Sequence, residues 1–97
     1  MRPSQEKDAR LAAKADAGER MRLFAEDPIV TGWFADAIAK QTNVMVGAAS
    51  SGDAQAMMHA GLIVKVLGEV QSFMANTAAA GSRAAQELHK KRQKDQS

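Results

Sequence analysis

His59 and His89 are the only imidazoles in a 97-residue chain that has no cysteine. A metal site needs several ligands converging at helical spacing, such as His-x3-His or His-x2-Glu, and neither pattern occurs. His59 falls within an apolar helix and His89 within a basic tail, so no metal or other cofactor is expected. The carboxylates of the apolar middle are Asp27, Asp36, Asp53 and Glu69, too separate in sequence to form an acid–base pair. Asp27 and Asp53 stand where helix N-caps belong. Asp36 precedes Lys40 by four residues and Lys65 precedes Glu69 by four, the spacing of ion pairs on one helix face. No serine lies in a G-x-S-x-G elbow, and the glycines form neither a P-loop nor a dinucleotide fingerprint. The chain does not read as an enzyme, and no small-molecule substrate is expected.

One cluster could meet a polyanion. Lys90-Lys91-Arg92-Gln93-Lys94, with Arg83 before it, could bind phosphates by charge and counterion release. No aromatic residue is interleaved, so base stacking has no support. Basic residues at a helix C-terminus also complement the dipole and keep a tail hydrated. An accessory nucleic-acid-binding role through Arg83, Lys90, Lys91, Arg92 and Lys94 therefore remains an alternative reading.

The elements that carry these residues are helical. Ala, Met, Gln, Glu, Lys and Arg dominate, and alternating β-branched runs are missing. Asp27-Pro28 punctuates the chain most clearly. The aspartate caps, the proline fits a first helical turn, and the residue before proline disfavours helix. A first long helix then runs from Pro28 to about Ala49, with Val30, Trp33, Phe34, Ala37, Ile38, Val44, Met45 and Ala48 at three- and four-residue steps. Ser50-Ser51-Gly52-Asp53 ends it and caps a second helix from about Ala54, and so short a turn makes the two antiparallel neighbours. Ala56, Ala60, Ile63, Leu67, Val70 and Met74 form the inner seam of the second helix, widened by Met57, Val64, Val66 and Phe73. Gly81-Ser82 is a place for it to stop or bend. Before Asp27, a short helix is expected at about Asp16–Glu26, folded back on the hairpin, with Gly18 a weak point.

The expected organisation is a charged, frayed segment at residues 1–15, a helical domain at 16–82 and a basic tail at 83–97, disordered from Gln93. The fold class is all-α: an antiparallel hairpin of two long helices with a short N-terminal helix, completed as a bundle by oligomerisation or a partner. Residues 27–82 hold only six charged groups, and two paired helices hide only one stripe each. The surplus apolar surface needs a partner. Trp33, Phe34, Ile38, Met45, Gly61, Val64, Gly68, Phe73 and Ala75 are the candidate interface residues. Ala54, Gly61, Gly68 and Ala75 form a small-residue line at seven-residue spacing, which admits a close helix. The methionines Met21, Met45, Met57, Met58 and Met74 read mainly as core. Homo-oligomerisation or docking on a larger protein assembly is the leading expectation, with a partner-specific adaptor or inhibitor as a rival.

The string Leu23-Phe24-Ala25-Glu26-Asp27-Pro28-Ile29-Val30, followed by helix, Ser/Gly/Asp turn and helix, resembles small helical-hairpin proteins encoded near the head genes of tailed phages and prophages. The resemblance covers roughly Leu23–Asn76. It implies a virion or assembly role in the head or portal region and carries over no functional residue. No signal peptide or membrane span is visible, so the expected location is cytoplasmic, or the virion if the chain is phage-encoded.

Overall fold

The structure is a computed structural model that describes residues 3–96. It contains three helices, α1 (Pro3–Glu26), α2 (Pro28–Ser51) and α3 (Ala54–Gln96), and no strand among the described residues. Residues cluster into two units, Glu26–Phe73 and the pair Met1–Ala25 with Met74–Ser97.

The Glu26–Phe73 unit is the hairpin. Asp27 has extended backbone (φ −60°, ψ 126°) and its Oδ1 accepts from the Ile29 N–H at 2.8 Å, so it caps α2 as its sequence position implies. Gly52 closes α2 in the left-handed conformation at φ 76°, which glycine adopts without a Cβ penalty. The Gly52 N–H donates to the Ala48 and Ala49 carbonyls, and the Asp53 N–H to the Ala48 carbonyl at 2.9 Å. Asp53 Oδ1 then accepts from the Ala56 N–H at 3.0 Å and caps α3. These bonds satisfy helix-end groups and turn the chain back on itself. Phe34, Ala48 and Ala60 are buried, and Val30, Ala37, Ile38, Met45, Ala56, Ile63, Val64 and Leu67 are half-buried. Ala60 is the best-covered residue, at 1% exposure. Val70, expected on the inner seam, is exposed instead, as are Met57, Val66 and Phe73, expected to widen that seam, Val44 of the α2 stripe, and Met58, read as core.

The other unit pairs α1 with the C-terminal part of α3. Lys7 faces Glu87 at 4.0 Å, Lys91 Nζ lies 2.9 Å from Asp8 Oδ1, and Gly18 meets Gly81. Rising numbers on α1 thus meet falling numbers on α3, an antiparallel pair. Leu11, Ala15, Gly18, Met21 and Ala25 make the covered stripe of α1, with Met74, Gly81, Ala84 and Leu88 buried opposite.

This unit departs from the sequence expectation in two ways. The N-terminal helix is as long as α2, starting at Pro3 and not near residue 16, and residues 1–2 lie outside the described part. The basic segment is not a separate tail: α3 continues unbroken through 83–96, including Gln93, and Ser97 lies outside the described part. The physical reason is the same for both. Small residues on α1 and on the end of α3 let the two backbones approach, and each segment supplies the covered face the other lacks alone.

Gly18 and Gly81 mark that approach. A Cβ built on Gly18 would fall inside contact distance of the Gly81 Cα, and would lie 3.1 Å from the Thr77 carbonyl oxygen. A Cβ on Gly81 would fall equally close to the Gly18 Cα, and 3.0 Å from the Lys14 carbonyl oxygen. The two positions read as helix weak points are where the backbones cross.

Candidate interaction face

The hairpin places its chemistry-bearing residues apart from one another. Asp27 and Asp53 are committed to capping. Ser50 Oγ donates to the Val46 carbonyl at 3.0 Å and Ser51 Oγ to the Ala48 carbonyl at 3.2 Å, so both hydroxyls serve helix backbone. His59 is exposed, not partly buried as its apolar surroundings suggest. His89 Nε2 lies 3.1 Å from Gln93 Nε2, one turn along α3. No group of three or more His, Asp or Glu that could hold a metal occurs among the described residues.

What the hairpin concentrates is apolar surface. Of the large exposed hydrophobic side chains, Leu23 and Phe24 belong to the α1 unit. The other ten, Ile29, Trp33, Val44, Val46, Met57, Met58, Leu62, Val66, Val70 and Phe73, all belong to the hairpin. They fall on recognisable faces. At three- and four-residue steps Leu62, Val66, Val70 and Phe73 follow one another along α3. Trp33, Asp36, Ala37, Lys40 and Gln41 of α2 line a shallow groove with Ile63 and Leu67 of α3. His59, Leu62 and Val66 line a second groove that shares Ile63 and Leu67. The two grooves join into one front face spanning both helices.

The expected interface residues divide between faces. Trp33 and Phe73 are exposed at 58% and 64%, whereas Phe34 is buried and holds Trp33 edge-on at a 5.1 Å centroid separation and 88°. Ile38, Met45 and Val64 are half-buried within the hairpin. Gly61 serves the hairpin itself: a Cβ there would sit 3.7 Å from Met45 Sδ. Gly68 faces open space and Ala75 is exposed, so the small-residue line forms the opposite side of α3 from the front face. Sequence reasoning missed Leu62 and Val70 as exposed residues and missed His59 beside them. Their three- and four-residue steps were visible, but both sides of α3 show such steps.

Charge is distributed as unevenly as apolar surface. In the α1 unit, Arg10 pairs with Glu6, Arg20 with Asp16 at 3.1 Å and Arg22 with Glu19, besides the Lys7–Glu87 and Lys91–Asp8 bridges. The Arg22 hydrogen bond holds the Glu19 carboxyl below its ordinary range, desolvation opposing it and the Arg22 charge assisting. The expected helix pairs of the hairpin do not form: Asp36, Lys40, Lys65 and Glu69 are exposed and make no ion pair within the described chain.

In the basic segment, Lys91 is held by Asp8 and is half-buried, while Arg83, Lys90, Arg92 and Lys94 are exposed. The cluster is therefore partly neutralised by α1. No described helix is long and apolar enough to cross a membrane. Comparison with protein-family models, with curated proteins and with solved structures finds no match.

Proposed function

We infer that this protein is a non-enzymatic assembly or interaction component whose working surface is the front face of the α2–α3 hairpin. The observation that carries this reading is the segregation of ten large exposed hydrophobic side chains into Glu26–Phe73. Single exposed apolar residues are ordinary on monomers, but contiguous patches mark contact surfaces. Fully burying a Val, Leu, Ile, Phe or Met side chain contributes roughly 1.5–3 kcal/mol, so each half-exposed one still offers about 1 kcal/mol. Covering about six per partner on two partners yields about 12 kcal/mol before costs, and association costs about 4–15 kcal/mol. Reversible helix–helix assembly is the regime these magnitudes describe. The likeness of Leu23–Asn76 to phage head-region hairpin proteins supports virion assembly as the setting.

The test is a pair of substitutions on the face, Leu62→Glu with Val66→Glu, in the full chain. Both side chains are exposed at 56%, so the hairpin core is left alone. The expected result is wild-type assembly in sedimentation equilibrium, and a monomer with unchanged helical circular dichroism in the double variant. A double variant that assembles as the wild type does would overturn the assignment of this face.

A further inference from the structure

The α1–α3 unit gathers most of its exposed cations on one side. We propose that this side is a binding surface for the phosphate backbone of duplex nucleic acid. The surface belongs to the α1–α3 unit alone, so it stands whether or not the hairpin face assembles.

Helical spacing builds the surface from two rows. An α-helix turns about 100° per residue, so Lys7, Arg10 and Lys14 fall within about 60° of one another around α1. Arg83, Glu87, Lys90 and Lys94 fall within about 60° around α3 by the same arithmetic. All of these side chains are exposed. The Lys7–Glu87 bridge at 4.0 Å joins the rows, which sets them on one side of the pair. The Lys14 carbonyl oxygen lies beside Gly81, two residues from Arg83, so the rows run level. The other side is a groove to which Ala15, Glu19, Ala78 and Ser82 contribute. Glu19 stands about 140° from Lys14 around α1, and Ala78 about 140° from Arg83 around α3. Two cations of the basic segment fall outside the rows: Arg92 stands about 180° from Arg83, and Lys91 is held by Asp8.

Six cations thus stand against two carboxylates, Glu87 within the rows and Glu6, which lies 3.9 Å from Arg10. Exposed ion pairs of this kind are worth little, so a phosphate can take over either cation. The surplus of four positive charges spreads along about 17 Å of helix, from Arg83 to Lys94 at about 1.5 Å per residue. A duplex presents one negative charge per about 1.7 Å of its axis, a regular array for a straight row to meet.

The class of partner follows from what the rows lack. Within 7–14 and 83–94 the only large apolar side chains are Leu11, half-buried, and Leu88, buried, so neither row offers a side chain to insert into a lipid surface. No Phe, Trp or Tyr lies in either segment, so unpaired bases find no stacking platform. Charge on two rigid helices is left, and it meets the backbone of a duplex without reading its sequence.

Fluorescence anisotropy of a short, labelled DNA duplex of random sequence, titrated with the full chain, tests this. A surplus of about four charges gives a slope of log K against log salt of about −3.6, a loss of roughly a hundredfold between about 50 and 200 mM salt. Lys14→Gln with Arg83→Gln is expected to weaken binding at least about tenfold at about 50 mM salt and to bring the slope to about −1.8. Arg20→Gln with Arg92→Gln removes the same charge away from the rows, Arg20 standing about 120° from Lys14 around α1. That pair is expected to bind within about twofold of wild type. Helical circular dichroism checks that both variants are folded. Equal loss in the two variants overturns the face, because total charge alone would then set affinity. Tighter binding of anionic phospholipid vesicles, of poly-glutamate or of a single strand of equal length overturns the duplex assignment. A wild-type chain that binds no duplex at low salt overturns the proposal outright, and leaves the hairpin reading untouched.

Discussion

Gly81→Ala gives the sharpest test of the α1–α3 crossing. In an exposed helix interior this change stabilises by about 1 kcal/mol, because alanine loses less backbone entropy than glycine. At position 81 the added Cβ would fall on the Gly18 Cα and lie 3.0 Å from the Lys14 carbonyl oxygen. Both are backbone atoms, so no side chain can swing aside and the helices must separate. Overpacking of this kind costs about 1–3 kcal/mol, occasionally more, and here it also loosens the cover of Ala84, which is 3% exposed. With two backbone clashes the cost lies at the upper end, about 3 kcal/mol against a gain of about 1, and the net loss of about 2 kcal/mol lowers Tm by about 8–16 °C for a domain of this size. Gly32→Ala is the internal control, since a Cβ there meets nothing within 4 Å. It should raise Tm by a few degrees, as about 1 kcal/mol implies. Thermal denaturation followed by circular dichroism at fixed protein concentration reads both. Equal or higher Tm for Gly81→Ala would refute the close crossing, with Gly32→Ala showing that the assay resolves a gain.

Further outcomes follow from single contacts. Asp27→Ala removes the acceptor for the Ile29 N–H and should cost about 1 kcal/mol in urea unfolding, with Asp27→Asn retaining most of it. The Glu19 carboxyl should titrate below its ordinary range by NMR and return toward it in Arg22→Gln. Because its folded value is the depressed one, its contribution is present above the unfolded value. That contribution is lost as pH falls through the folded value. Lys90→Gln with Arg92→Gln should leave the assembled mass unchanged, since both side chains are exposed on the α1–α3 unit; a changed mass in sedimentation would bring the basic segment into the interface.

The hairpin was legible because its punctuation is local. Asp27-Pro28, Gly52 and Asp53 act through bonds to residues within four positions, and such signals stand in the sequence itself. The α1–α3 pairing was not legible because it depends on distant segments that are each poor in large apolar residues. Leu11, Ala15 and Gly18, or Gly81, Ala84 and Leu88, read singly as frayed or basic ends. They make sense only as two halves of one close contact. The candidate face was half legible. Trp33 and Phe73 were identified by size, but a helix with apolar residues on most sides does not reveal which side its partner takes. That is why Val70 was placed inward and Leu62 overlooked. Asp36 and Lys40 were read as one intrahelical pair, but both stand exposed and make no such pair.

The mass of the purified particle across protein concentration, by sedimentation equilibrium, bears most directly on the central claim. The expected result is a concentration-dependent mass above the 10.3 kDa of one chain, with unfolding that shifts as protein is diluted. A constant mass of one chain, with cooperative unfolding independent of concentration, would contradict it.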